Sequence, residues 1–290
     1  MSAILERTAA RAVERVVDSE TAPVGTFTVR RALPARERHA VGPWVFLDHF
    51  GPYRAVPGED GVGPHPHAGI ETVTYLLSGA NEHRDSAGHH GVVGAGGVQW
   101  MTAGRGIIHA ERAAGDGSEP LHGIQLWTSL PRALKQAAPD YQRIDAAAIP
   151  RVDRAGVAVR VVAGSYESVE GPARTRMPTF LWHVTLAPGA RLASTLPAGY
   201  EAALYVFAGT ADVDAGTKVG AGRLAVWADG AEPIALANTG SAPLEAMVLG
   251  GAPAEGPLVF HGPFVMNSVE QVRAAEVAYR TGRMGSLTED

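Results

Sequence analysis

Cysteine is absent from the 290 residues. That absence removes disulfides, thiolate metal sites and a cysteine nucleophile together, so any metal here must rest on imidazole and oxygen ligands. No stretch approaches the roughly 18 uninterrupted apolar residues of a membrane-spanning helix, and the opening M-S-A-I-L-E-R-T-A-A-R carries no apolar segment of secretory type. A cytoplasmic location without membrane contact is the expectation. Lysine is scarce: Lys135 and Lys218 are the only two among 25 basic residues, a bias that fits a GC-rich, bacterial coding sequence. With a formal charge of −5 and no block of Lys/Arg, direct nucleic-acid binding has no electrostatic footprint.

Long helical patterns are equally scarce, because 35 glycines and 20 prolines cut the chain into short segments. What remains is a series of short apolar or alternating runs: T-V-T-Y-L-L at 72–77, G-I-Q-L-W at 123–127, V-A-V-R-V-V at 157–162, L-W-H-V-T-L at 181–186 and A-L-Y-V-F at 203–207. Such spacing predicts an all-β sandwich or barrel. The length suits two domains, each able to bury a core.

The sequence repeats itself. Ala68-Gly69-x-Glu71-x-x-x-Tyr75-x-x-x-Gly79 recurs 130 residues later as Ala198-Gly199-x-Glu201-x-x-x-Tyr205-x-x-x-Gly209, and Val93-Gly94-Ala95-Gly96 recurs 126 residues later as Val219-Gly220-Ala221-Gly222. We read a duplicated β-domain, residues 1–165 and 166–290, with the join in the Gly/Pro-containing stretch 164–178. Two helices are predicted. One begins at Ser268 with Gln271 as a capping box and stops at Gly282, and the other is a connector over 131–138 opening on Pro131.

Residues 65–71 read H-P-H-A-G-I-E, and H-A-E follows at 109–111. In a strand, side chains at i and i+2 share a face about 6.5 Å apart, so His65 and His67 can meet one ion. His109 and Glu111 can do the same from a neighbouring strand. Three imidazoles and one carboxylate suit Fe(II), Mn(II), Ni(II), Cu(II) or Zn(II), and not the all-oxygen shells of magnesium or calcium. At the repeat offsets the second copy carries Thr195, Pro197, Ala235 and Ala237, so all four ligands vanish together while the scaffold pattern persists. Glu71 lies where a continuous strand would aim it at the same ion, yet its counterpart Glu201 stands in the copy without ligands. A structural role is expected for Glu71.

The remaining histidines carry blander expectations. His83, His89 and His90 sit in a Gly-flanked segment and read as solvated loop residues. His122 and Gln125 face opposite sides of one strand, so one of them can see a pocket. His183 and His261 read as packing residues of the second domain. Trp100, Met101 and Trp127 are core residues that could wall an aromatic pocket.

H-P-H-A-G-I-E-T-V-T-Y-L-L-S-G, H-R-D-S-A-G-H-H-G, G-G-V-Q-W-M-T-A-G-R-G-I-I-H-A-E, H-G-I-Q-L-W and H-G-P-F-V-M-N together resemble the pirin family of the cupin superfamily, over about residues 25–285. The second motif departs from the general cupin pattern at Gly104, where a proline is usual, and that departure is itself pirin-like. The resemblance implies two tandem cupin (double-stranded β-helix, jelly-roll) barrels with a short C-terminal helix. It also implies iron in the N-terminal barrel on His65, His67, His109 and Glu111, and a metal-free second barrel. Two functions come with it. One is quercetin 2,3-dioxygenase-type opening of a flavonol by dioxygen with loss of carbon monoxide, for which Glu111 is the candidate proton acceptor. The other is a metal- and redox-sensitive regulatory module acting through a protein partner. A cupin isomerase or storage protein, holding zinc or manganese, is a third reading.

Overall fold

The computed structural model describes residues 10–287 apart from 37, 60 and 215. The expected all-β architecture is present as two barrels, each made of one seven-stranded and one four-stranded antiparallel sheet. In the first barrel the large sheet runs, edge to edge, Asp140–Ile144, Val98–Thr102, Ile70–Ser78, Leu121–Ser129, Trp44–Tyr53, Phe27–Leu33 and Glu20–Val24. Its small sheet is Gly61–His67, Ile107–Ala114, Ala80–Asp85 and His90–Gly94. The second barrel repeats this plan, with a large sheet centred on Leu244–Gly251 and a small sheet of Arg191–Ser194, Ile234–Asn238, Thr210–Val213 and Thr217–Gly220.

Alternation along each strand explains how the barrels join. Tyr75 and Tyr205, Trp44 and Leu181, Ile124 and Met247 face out of their own barrels and pack together, so the two large sheets form a sandwich at the centre of the molecule. Their neighbours in sequence face inward. In the second barrel those inward residues, among them Trp182, Leu204, Ala225 and Val248, are apolar and belong to one buried cluster. Strand pairing places Asp48, Thr74, Gln99 and Gln125 at the same four positions of the first barrel, whose interior is therefore polar and open.

Hydrogen bonding divides the chain elsewhere than at 165/166. Arg151–Arg154 and Val157–Ala163 already belong to the second large sheet, and 164–178 connects two of its strands. Val13–Asp18, near the start of the chain, adds to the far edge of that same sheet beside Arg223–Trp227. In the other direction, the hairpin Val259–His261/Phe264–Met266 and the helix Val269–Arg280 return to the first barrel, where Ala68 bridges Phe264.

The C-terminal helix begins at Ser268, whose side chain accepts from the Gln271 N–H. The Gln271 side chain accepts from the backbone of Asn267, one residue before the cap position that a capping box would use. The predicted connector helix is reduced to one 3-10 turn, Arg132–Leu134. Pro139 disfavours helix at the residue before it, and the strand Asp140–Ile144 starts at once, so there is no room for a second turn. Among the described residues no helix is long and apolar enough to cross a membrane.

Candidate metal centre

Two strands of the small sheet supply the imidazoles. Gly61–His67 lies antiparallel to Ile107–Ala114 with His65 directly opposite His109, and His67 follows two residues on, on the same face. Ligand atoms of His65, His67 and His109 all lie within 4.8 Å of one another. His67 and His109 are buried, and His65 is partly exposed at the mouth. The pairing shifts register between His109 and Glu111. Glu111 lines the same cavity, where its Oε1 lies 2.6 Å from the Thr74 hydroxyl and accepts from Asn81 Nδ2 at 3.3 Å. Asn81 also donates to Gln99 Oε1, so the carboxylate ends a polar chain built from three strands.

The rings are oriented from behind. His65 Nδ1 is 2.8 Å from the Gly63 carbonyl and His67 Nδ1 is 3.1 Å from that of Pro263. A ring that donates through Nδ1 presents Nε2 as a lone pair, the form a metal requires. Burial lowers the pKa of His67 and of His109 well below the ordinary value, and the neighbouring imidazoles lower both further. The three rings thus stay neutral where protonated imidazoles would repel. His109 Nε2 is buried with no hydrogen-bond partner, a cost normally avoided and one that a cation would remove. The donor set, three nitrogens beside one carboxylate and no thiolate, fits a first-row divalent ion.

A cavity of about 450 Å³ opens over these residues. Five Phe and Trp rings contribute to its walls: Phe27, Phe46, Phe50, Trp127 and Phe260. Phe46 and Trp127 stack with centroids 4.0 Å apart, and Trp127 lies edge-on to His67 at 4.9 Å. Gln125 faces this cavity, whereas His122 turns to His49, 2.7 Å between their Nε2 atoms. Arg31 and the buried Asp48 form a two-point ion pair in the wall, and burial raises the Asp48 pKa against the lowering effect of Arg31.

Of the other expectations, those for His90 and Glu71 hold and the rest are corrected. His83 is no loop residue: the strand Ala80–Asp85 points Asn81, His83 and Asp85 inward, and His83 is buried beside His109. His90 is exposed and pairs with Glu82, as a solvated residue can, while the His89 ring leans on Asp85. His261 packs in neither core, being exposed and paired with Glu276. His183 reaches across the barrel interface to Tyr75. Glu71 points away from the cavity, accepting from the hydroxyls of Thr102 and Thr128. The positive φ of Gly69 breaks the strand after His67, so counting by twos across it loses the face.

The counterparts of the ligands in the second barrel also shift by one residue. Pairing of Ser194 with Ile234 matches that of His65 with His109, and pairing of Val213 with Leu236 matches that of His83 with Glu111. The equivalent positions are therefore Ser194, Leu196, Ile234 and Leu236, not the outward-facing Thr195, Pro197, Ala235 and Ala237. Leu196, Ile234 and Leu236 are core residues of that barrel. A slip of one residue exchanges the faces of a strand, which is why offsets counted along the chain missed them.

Nothing in the sequence pattern marked Lys135 as a buried cation. Lys135 is wholly buried, and its ammonium donates to the Gly69 and Val265 carbonyls and the Ser129 hydroxyl, each at 2.8 Å. It ties the loop after His67 to the returning hairpin. Burial lowers its pKa to about 7.

Comparison with known proteins places this architecture. Residues 26–128 match the Pirin family and residues 181–285 match the Pirin C-terminal cupin domain. A pirin-like protein of Solanum lycopersicum is 38% identical over 259 residues, covering 89% of this chain and 87% of its own. Among solved structures, a quercetin 2,3-dioxygenase from Acinetobacter baumannii superposes with a TM-score of 0.88 at 30% identity, covering 97% of this chain and 100% of that one. A bacterial pirin from Escherichia coli, determined in complex with nickel(II), shares the fold at 20% identity with a TM-score of 0.66, covering 83% of this chain and 99% of that one.

Proposed function

The chain belongs to the pirin family, and from that premise we propose that its first barrel is a mononuclear metal centre that opens a flavonol ring with dioxygen, as a quercetin 2,3-dioxygenase does. The observation that carries this reading is the convergence of His65, His67 and His109 at the floor of a cavity walled by aromatic rings. The ligands would be the Nε2 atoms of those three residues and the Glu111 carboxylate, and iron(II) is the ion we assign. Bound there, iron(II) would supply Lewis acidity toward the flavonol hydroxyl and a position for dioxygen.

The chain's own residues do the rest. Trp127, Phe46, Phe50 and Phe260 offer flat apolar faces to a planar polyphenol, in a cavity whose size falls within the few-hundred-Å³ range of small-molecule sites. Glu111 is placed to take the hydroxyl proton on a carboxylate oxygen. The Thr74 hydroxyl, 2.6 Å from both Glu111 Oε1 and Gln125 Oε1, has one proton to give and can follow the carboxylate as its charge changes. The hairpin residues Gly262 and Pro263 close one side against water.

One observation favours a second reading, a metal-dependent module that binds a regulatory protein. The partner of His67 is a carbonyl of the returning hairpin, so occupation of the centre is coupled to a segment at the surface. Dioxygen uptake by the iron-loaded protein with quercetin separates the two. Turnover that His65→Ala abolishes is the expected result, and no uptake by fully loaded protein would overturn the dioxygenase assignment.

A further inference from the structure

The three imidazoles differ in what stands behind them. His65 and His67 face backbone carbonyls, but His109 Nδ1 faces another histidine: it is 3.4 Å from His83 Nδ1, and His83 Nε2 is 3.1 Å from Asp85 Oδ2. This unit lies in H-R-D-S-A-G-H-H-G, a motif the ligand set leaves unused.

The tautomers of this row are dictated by its ends. When His109 uses Nε2 toward a metal, its neutral ring carries the proton on Nδ1 and must donate it. His83 Nδ1 then accepts, which leaves the His83 proton on Nε2, pointing at Asp85. The carboxylate is built to receive it. Asp85 Oδ1 accepts the backbone N–H groups of Ala87 and His89, and the His89 ring lies 2.9 Å from Oδ2. Burial pushes the Asp85 pKa up, but the hydrogen bonds from His83 and His89 outweigh it and hold the group below its ordinary value. The His83 ring cannot tilt freely, because Tyr141 stacks on it with centroids 4.5 Å apart and planes 12° from parallel.

We propose that His83 and Asp85 are positioning residues for the metal centre, a carboxylate–histidine–histidine row that fixes the tautomer and the angle of His109. The proposal rests on the assignment of His109 as a ligand and adds to it the group that selects its donor atom. The second barrel supports the pairing of roles: where the ligand positions hold Ile234 and Leu236, the position of His83 holds Val213, a core residue. Acceptor and ligand are replaced together by hydrocarbon. A carboxylate-backed imidazole is a stronger acceptor than a peptide carbonyl, so His109 is the ligand whose orientation is held most firmly.

The test uses the full-length protein with its histidines labelled with nitrogen-15, loaded with zinc(II). Ring-nitrogen shifts should show His83 protonated on Nε2 and bare on Nδ1, and His109 protonated on Nδ1. A His83 protonated on Nδ1, or on both nitrogens, would overturn the proposal. Cobalt(II) affinity by competition provides the second measurement. His83→Phe should lose roughly 10–100-fold and alter the visible spectrum of the cobalt form, and His83→Asn, which restores an acceptor oxygen near Nδ1, should recover part of both. Unchanged affinity and spectrum in His83→Phe and Asp85→Asn would also overturn it. If His65→Ala binds cobalt(II) as tightly as the unaltered chain, the metal-site assignment itself fails, a result distinct from failure of the row.

Discussion

The Tyr75 hydroxyl lies 2.7 Å from His183 Nδ1 across the barrel interface, and its repeat counterpart Tyr205 lies 3.0 Å from His49 Nδ1. The two bonds are related by the duplication. Across the first large sheet His49, Ile124 and Tyr75 form one row, and across the second His183, Met247 and Tyr205 form the equivalent row. Packed face to face in opposite directions, each row offers its tyrosine to the histidine of the other. The symmetry is incomplete, because His49 has a second partner in His122 while His183 Nε2 has none.

Removing one hydroxyl should therefore cost more on one side than on the other. Tyr75→Phe leaves the His183 ring with no listener for either nitrogen and should destabilise the protein by about 1–3 kcal/mol in chemical denaturation. Tyr205→Phe should cost less, since His49 keeps His122. A double-mutant cycle of Tyr75 with His183 should show clear coupling, and simple additivity would deny that the pair contributes.

Acid should loosen this interface. Burial, with Arg160 nearby, lowers the His183 pKa to about 4, and burial, with Arg30 and His122, lowers that of His49 to about 3. Between these values and the ordinary one near 6.5 the unfolded chain binds protons that the folded chain refuses. Stability contributed by these neutral rings is complete above about pH 6.5 and falls as the pH drops toward 4 and then 3. For His183 the loss is on the order of 3 kcal/mol. Denaturation midpoints measured from pH 7 to pH 4 should decline, and His183→Phe should flatten part of the decline.

Metal should stabilise the first barrel alone. A ligand at 100 times its dissociation constant adds about 2.7 kcal/mol to the state that binds it. Loading should raise the thermal midpoint, a chelator should reverse the gain, and His109→Ala should abolish it. A variant of the second barrel at the equivalent position, Ile234→Val, should keep the metal-dependent rise.

Thr74→Val tests the carboxylate support. The substitution preserves shape and removes the hydroxyl 2.6 Å from Glu111, a bond to a charged group worth roughly 1.5–3 kcal/mol. Quercetin turnover by the iron-loaded variant should fall roughly 10–100-fold, with a loss of folding stability no larger than about 3 kcal/mol. Equal turnover would show that Glu111 needs no help from this strand.

Gly69→Ala should damage both fold and site. Its φ is +78°, and a Cβ there would meet the Val265 carbonyl, against which the strand end is already held by Lys135. A loss of more than about 2 kcal/mol is expected, with weaker metal uptake through displaced His67. Thermal denaturation and metal titration of the same sample check both.

Much of this was legible because it was local or repeated. Gly69 and Gly199, Gly79 and Gly209, Gly96 and Gly222 all take positive φ, so the repeat marked turns that favour glycine. Alternation put His65 and His67 on one face without any knowledge of the partner strand. The unread parts depend on distant segments. Asn81, His83 and Asp85 alternate like a strand, but a polar inward face lacks the hydrophobic signal by which strands are recognised. Nothing near Lys135 or Val13 announces that one will be swallowed by three acceptors and the other will edge the opposite barrel.

The hairpin that carries Pro263 and Phe260 is encoded after the whole of the second barrel, although it walls the cavity of the first. On the ribosome, the histidines of the first barrel emerge long before the segment that covers them. An ion captured at that stage would sit in an open cup, exchanging with whatever the cell offers. The cavity is thus a property of the finished chain, walled on this side only after the last strands have folded back.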